Sequence, residues 1–340
     1  MKRNYRGERL IRDVRPPGCT FAIWISAIAM LAIAVAAHRV LAAAKPVASP
    51  IAPWDHVETL KVGDLNRHFI VHVPPGFDAK QKLAVVIMLH GAGGTGQGAI
   101  SMTNWDQKAD HENLIAVFPD GVPVNPKRAP AFLTNPQLWN DESGRNARAG
   151  FQSNDDVGFI SQIIDTLESR YDADPNRIYV TGFSNGASMT FTVGVELSDK
   201  IAAIAPVAGH LWLRGKQLKR PVPLIYIIGR NDPLEPLAGG PARLPWGRLE
   251  QPPIEESLAE WRRMLGCGAK PNADASSGGV EKIQFSECAN GGAVIEYFID
   301  EMGHVWPGGR NLLPERIVGK SSDKLNATDV IWEFFKAHPR

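Results

Sequence analysis

Cysteine is scarce, with three residues in a chain of 340. That excludes a disulfide-dense scaffold and a cysteine-rich zinc module. Charge of one sign is equally thin: 37 basic against 36 acidic residues leave a formal net charge of +1. With no long basic stripe, a nucleic-acid partner is not expected. The Cys/His clustering of a zinc site and the spacing of an EF-hand are both missing, so no metal is expected. There is no repeat period, and the one long uncharged apolar run is Cys19 to Ala37. What remains is 44% apolar composition laid out as alternating strand-like and helix-like segments, enough for one large core.

The N-terminus departs from this pattern. Lys2, Arg3, Arg6, Arg9, Arg12 and Arg15 outnumber Glu8 and Asp13 ahead of the apolar run, the order of an export segment. Ala42, Ala43 and Ala44 offer small residues for cleavage, and Lys45 to Pro53 reads as a linker. The run is also near membrane-spanning length, with His38-Arg39 after it, so an uncleaved anchor is the second reading. The expected organisation is a signal peptide or membrane anchor over 1–44, a linker over 45–54 and one domain over 55–340. Either reading puts that domain outside the cytoplasm: secreted or periplasmic, or attached to the membrane facing outward. Cleavage after Ala44 would remove seven basic and two acidic residues and leave a formal charge of −4. Cys19 precedes the apolar run, so Cys267 and Cys288 remain as an even pair. In an oxidising compartment a bridge between them would stabilise the fold by roughly 3 kcal/mol on the chain-entropy model; two reduced, buried thiols are the alternative.

The most informative stretch is Arg177-Ile-Tyr-Val-Thr-Gly-Phe-Ser-Asn-Gly-Ala-Ser-Met189. Its first half is β-branched and aromatic, as a buried strand should be, and Ala187 to Val195 is helix-compatible apart from Gly194. Between them Gly182-Phe183-Ser184-Asn185-Gly186 matches G-x-S-x-G, a sharp strand-to-helix turn that lifts a serine hydroxyl out of the backbone. Ser184 is the candidate nucleophile. A serine hydroxyl needs a histidine base and usually a carboxylate to orient it. Only His210, His304 and His338 follow Ser184, and His304, in Asp300-Glu-Met-Gly-His304 after the strand-like Ala293 to Ile299, is favoured. Asp232, in Gly229-Arg-Asn-Asp232-Pro233 after the strand-like Pro223 to Ile228, is the favoured acid, with Glu235, Asp300 and Glu301 as alternatives.

A second constellation follows the strand-like run Leu83 to Leu89: His90-Gly-Ala-Gly-Gly-Thr-Gly96. Backbone N–H groups of Ala92 and Asn185 are the candidate donors to an oxyanion, with His90 shaping the loop. The same glycines satisfy G-x-G-x-x-G, and Asp120 stands where a ribose-binding acid would, so a dinucleotide-dependent enzyme is a rival reading. A Walker-type phosphate loop fails for want of Gly-Lys-Ser/Thr. Asp156 to Tyr171 puts Val157, Ile160, Ile164, Leu167 and Tyr171 on one helical face, with Asn154 or Asp155 as cap. His68 and His72 are four apart, but Arg67 to Val73 alternates as a strand, so both are expected to be ordinary surface positions.

Leu89-His-Gly-Ala-Gly-Gly94, Trp139-Asn-Asp141, Asp155-Asp-Val-Gly-Phe159, Tyr179 to Ala187, Ala203 to Gly209 and Gly303-His-Val-Trp-Pro-Gly308 together resemble the polyhydroxybutyrate depolymerase and feruloyl esterase group, also assigned to carbohydrate esterase family 1. The likeness covers roughly residues 55 to 337. It implies an α/β-hydrolase fold with a mostly parallel central sheet flanked by helices, ester hydrolysis without a cofactor, and Ser184, Asp232 and His304 as a triad. The implied substrates are polysaccharide-linked feruloyl or acetyl esters, hydroxyalkanoate oligomers, or small generic esters. Trp139 and Trp306 are candidates to line the substrate site. Leu138 stands where the group often carries cysteine, and Pro123 to Gly150, rich in Pro, Asn and Arg, gives this chain its own substrate rim. A noncatalytic surface-binding protein that keeps the hydrolase shell is the alternative from another class.

Overall fold

A computed structural model of the chain describes residues 54–78, 80–144, 154–244 and 247–340. The expected export segment, and all of the linker but Trp54, lie outside the described residues. From Asp55 the chain forms a hairpin, β1 (Asp55–Val62) and β2 (Leu65–His72), and continues through β3 (Val85–Leu89), α1 (Gly96–Thr103), α2 (Trp105–Glu112) and β4 (Ile115–Pro119). A short ribbon of β5 (Val122–Pro123) and β6 (Gln137–Leu138) leads to α3 (Asp156–Arg170), β7 (Ile178–Phe183), α4 (Asn185–Glu196), β8 (Ala203–Val207) and β9 (Leu224–Gly229). A second ribbon, β10 (Gly240–Leu244) and β11 (Gly247–Gln251), precedes α5 (Ile254–Met264). The meander β12 (Ala273–Ser277), β13 (Val280–Phe285) and β14 (Val294–Ile299) follows, then α6 (Glu315–Val318) and α7 (Ala327–Ala337).

Ten strands make one sheet in the order β1-β2-β4-β3-β7-β8-β9-β14-β13-β12. The centre, from β4 to β14, is parallel, and both ends are antiparallel hairpins. Parallel strands need crossover helices, which cover both faces, so such strands read as continuous apolar runs and not as alternations. Every residue of β3, β4, β8 and β9 is buried. One face packs under α3, α4 and α5 through Phe159, Ile163, Met189, Phe191 and Trp261. The other packs under α1, α2 and α7 through Met102, Trp105, Ile331 and Phe335, with Phe335 stacked on Tyr179 at 4.6 Å. Asp155 caps α3 by accepting from Gly158 N–H at 2.7 Å. The buried stripe of α3 is Phe159, Ile160, Ile163, Ile164 and Leu167, rotated from the expected one so that Val157 is only half-buried. Cys267, just past α5, is bridged to Cys288, ahead of β14.

His72 corrects the expectation of two surface histidines. His68 is exposed, but His72 is only 3% exposed. Its ring lies between two carboxylates, Nδ1 at 2.6 Å from Asp55 Oδ1 and Nε2 at 3.0 Å from Asp110 Oδ1. Strand parity puts the two side chains on one face of β2, and Asp110 reaches His72 from α2. Spacing along one strand cannot reveal a helix arriving from elsewhere.

The parallel strands point their carboxyl ends the same way. Leu89, Phe183, Val207, Gly229 and Ile299 end their strands there, and the segments that follow carry the candidate residues. In an open α/β sheet this edge is where a site is built.

Candidate active site

Ser184 sits between β7 and α4 with φ 57° and ψ −121°, a backbone conformation that L side chains rarely adopt. Its N–H is held by Val207 O at 3.0 Å, and its own carbonyl accepts from Ser188 N–H at 3.0 Å. The flanking glycines have a steric reason. A Cβ on Gly186 would lie 2.2 Å from Leu89 O, and one on Gly182 would lie 2.3 Å from Gly186 O. Strand, helix and neighbouring strand approach too closely there for any side chain. The turn leaves Ser184 9% exposed at the sheet edge.

His304 and Asp232 come together across 72 residues of sequence. His304 Nδ1 and Asp232 Oδ2 are 2.7 Å apart and both side chains are buried. The other oxygen, Asp232 Oδ1, accepts backbone N–H groups of Leu234 and Glu235, each at 2.8 Å. The carboxylate is thereby fixed in orientation with one lone-pair edge turned to the imidazole. The His304 ring packs on Phe183, centroids 4.7 Å apart, which seats it beside the residue preceding Ser184. The competing acids are engaged elsewhere. Glu235 lies 3.0 Å from His210 Nε2 and accepts from Gln251, both buried; Asp300 pairs with Arg230; Glu301 is exposed at a turn. His338 hydrogen-bonds Phe334 O at the end of α7.

The loop after β3 lies against the same serine: a Cβ on Gly91 would sit 3.3 Å from Ser184 Cβ. Gly93 N–H donates to Gln137 O at 2.7 Å and Gly94 N–H to Gly91 O at 2.9 Å, so the N–H groups following Ala92 turn inward. His90 holds this loop. Gly121 N–H donates to His90 Nε2 at 2.9 Å, which leaves the proton on Nδ1 to donate to Gly91 O at 2.7 Å. Burial lowers the His90 pKa and keeps that neutral form. Asp120, the ribose-binding acid of the dinucleotide reading, instead accepts from Gly96 N–H at 2.8 Å. Its carboxylate occupies the helix N-terminus where a pyrophosphate would have to lie.

Trp139, Asn140 and Asp141 form a brace behind Ser184, a role that sequence alone did not supply. Asn185 Oδ1 accepts Trp139 N–H at 2.8 Å, while Nδ2 donates to Trp139 O at 3.2 Å and to Asp141 Oδ2 at 2.7 Å. Trp139 Nε1 donates to His90 O at 2.9 Å, joining the brace to the glycine loop. Asn140 N–H donates to Asp156 Oδ2 at 2.7 Å, and Asp156 is ion-paired with Arg67 at 2.7 Å in a site closed to solvent. Arg67 also lies 4.1 Å over the Phe159 ring. Burial raises the Asp156 pKa and the Arg67 charge opposes that. Both tryptophans expected to line a substrate site are buried. Trp139 is spoken for as above, and Trp306 donates Nε1–H to Thr328 Oγ1 at 3.1 Å. More accessible aromatic residues nearby are Phe183, the variable position inside G-x-S-x-G, which is half-buried, and Phe132, which no motif singled out and which is exposed beside Gly93.

Comparison with known proteins finds esterases. A family model described as Phospholipase/Carboxylesterase matches residues 76–243. "Putative esterase NocK" of Nocardia uniformis subsp. tsuyamanensis is 26% identical over 89% of this chain and 96% of its own length. Feruloyl esterase B of Piromyces equi is 28% identical over 70% of this chain, which spans only 42% of that protein. Among solved structures, acetyl xylan esterase from Aspergillus awamori superposes with a TM-score of 0.52 at 15% identity, over 74% of this chain and 94% of that one. The chain has the α/β-hydrolase fold and is a carboxylic ester hydrolase similar to the polyhydroxybutyrate depolymerase and feruloyl esterase group.

Proposed function

We propose that the chain is an exported serine esterase in which Ser184 is the nucleophile, His304 the base and Asp232 the acid that orients it. The observation that carries this reading is the buried 2.7 Å contact between His304 and Asp232, built beside a serine held at positive φ. Asp232 fixes the proton on His304 Nδ1, leaving Nε2 to take the Ser184 proton as Oγ attacks an ester carbonyl. The developing oxyanion is received by backbone N–H groups of Asn185, at the start of α4, and Ala92. His304 then protonates the departing alcohol, and an acyl-enzyme remains. Water, deprotonated by the same imidazole, attacks the acyl carbon, and the imidazolium returns that proton to Ser184 Oγ as the acid leaves. No cofactor is required for any step.

The substrate reading follows the resemblance: feruloyl or acetyl esters linked to polysaccharide, or hydroxyalkanoate oligomers. Export rests on the basic-then-apolar N-terminus and on the Cys267–Cys288 bridge, a bond that persists in oxidising compartments. The test uses purified residues 45–340 against p-nitrophenyl acetate and butyrate, methyl ferulate, acetylated xylan and hydroxybutyrate oligomers, with Ser184→Ala alongside. Loss of turnover in a folded Ser184→Ala protein supports the reading. Equal turnover in variant and parent removes Ser184 from the mechanism, and no turnover of any ester by the parent favours a binding protein.

A further inference from the structure

Asp232 takes its direction from its own loop. Oδ1 accepts the N–H groups of Leu234 and Glu235, each at 2.8 Å, while Oδ2 meets His304. Where the Glu235 backbone lies therefore decides which way the carboxylate faces. That backbone is anchored by a side chain turned inward. Glu235 is 2% exposed, and a carboxylate so deeply buried costs stability unless polar partners compensate it. Gln251, the last residue of β11, donates Nε2–H to Glu235 Oε2. His210 Nε2 lies 3.0 Å from the same oxygen, packed against it without the alignment of a hydrogen bond. Gln251 is 4% exposed and His210 is fully enclosed. Apolar side chains of the same volume would fill this space without that cost, but they would give the loop no directional hold.

The far end of this contact belongs to the frame that seats the serine. His210 N–H donates to Ser188 Oγ of α4, and Leu211 N–H to Ser257 Oγ of α5, both at 3.0 Å. Gly209 O accepts from the Tyr226 hydroxyl of β9 at 2.9 Å. Burial, with the charges of Glu235 and Asp232 adding to it, raises the Tyr226 pKa well above its ordinary value, so that hydroxyl keeps the proton it donates. A Cβ on Gly209 would lie 2.7 Å from Ser184 O. The segment after β8 thus abuts the serine turn on one side and reaches the acid loop through His210 on the other. Glu235 thereby ties the acid to the scaffold that holds Ser184.

Resting on the proposed triad, we infer that Glu235 is a positioning residue for Asp232. Held by Gln251 and His210, it fixes the backbone N–H that aims the acid at His304, and it acts on the reaction only through Asp232. The experiment measures kcat and KM for p-nitrophenyl butyrate, with the thermal midpoint, in Glu235→Met and Gln251→Leu, each made in the parent and in an Asp232→Asn background. In the parent background Glu235→Met should lower kcat by about 10- to 100-fold, the order expected when a catalytic group is misplaced by about 1 Å, with KM within about twofold. In the Asp232→Asn background the same change should cost less than about twofold, because residues that act as one unit are not additive. A folded Glu235→Met protein with parental kcat overturns the inference. So does an equal loss in both backgrounds, or a loss carried by KM alone. If Glu235→Met does not fold, Gln251→Leu decides on the same outcomes, with an expected fall in kcat of about three- to tenfold. Asp232→Asn separates the two readings. Parental turnover in that variant removes Asp232 from the triad; impaired turnover there, beside parental kcat in Glu235→Met, removes only the positioning role.

Discussion

Truncating Asn185 to alanine should destabilise the protein strongly while leaving the backbone N–H at 185 in place. The side-chain amide makes three buried hydrogen bonds: from Trp139 N–H at 2.8 Å, to Trp139 O at 3.2 Å and to Asp141 Oδ2 at 2.7 Å. Losing the charge-assisted bond to Asp141 costs about 1.5–3 kcal/mol, and stranding the buried Trp139 N–H costs about 1–3 kcal/mol more. The two are not fully additive, so the net loss should be about 3–5 kcal/mol. For a domain of this size that lowers the melting temperature by roughly 6–15 °C. Asn185→Asp is the companion variant. It keeps the shape but sets a second carboxylate against Asp141, so one of the pair must take up a proton in the folded state. A carboxyl with a raised folded pKa stabilises below its unfolded pKa and loses that contribution as pH rises. Asn185→Asp should therefore approach parental stability near pH 4–5 and fall away toward pH 8, whereas Asn185→Ala should show little such pH dependence. Thermal and urea unfolding from pH 4.5 to 8.5, with p-nitrophenyl butyrate turnover alongside, measures both. If Asn185→Ala unfolds within about 0.5 kcal/mol of the parent, the brace contributes nothing and the reasoning fails.

Two further perturbations probe buried charge. Arg67→Met leaves Asp156 without its cation in a closed site and should cost about 3–5 kcal/mol at pH 8 in urea unfolding, and less as the pH is lowered and the buried carboxyl, whose pKa burial already raises, takes up a proton. A loss below about 1 kcal/mol at both pH values would show that the pair is dispensable. Burial raises Glu296 to about 7, against the Arg262 charge beside it. The unfolded chain releases this proton near the ordinary glutamate value, so the stabilisation is complete at and below that pH and is lost as pH rises through about 7. The difference spans on the order of 3 kcal/mol. Glu296→Gln should remove that part of the pH dependence of unfolding; an unchanged pH profile would rule Glu296 out as its source.

Local pattern was enough for much of this protein. Continuous apolar runs such as Val85–Leu89 and Leu224–Gly229 announce strands buried on both faces, and a strand breaking at Gly-x-Ser-x-Gly announces a turn too tight for side chains. Both follow from covalent geometry and burial over a few neighbouring residues, so the alternating α/β architecture and the strand-turn-helix around Ser184 were legible. The partner of His304 was less so, because Asp232 and Glu235 are three residues apart on one loop. Only folding shows that Asp232 faces His304 while Glu235 faces His210. The same holds for His72 between two carboxylates, for Arg67 against Asp156, and for Trp139 and Trp306 enclosed behind the site. Each outcome depends on a partner brought from a distant segment, 44 residues away for Asn185 and Asp141 and 72 for Asp232 and His304. What a residue does locally is written in its neighbours along the chain; what a polar or aromatic side chain does in the interior is set by which remote groups the sheet and its crossovers place against it.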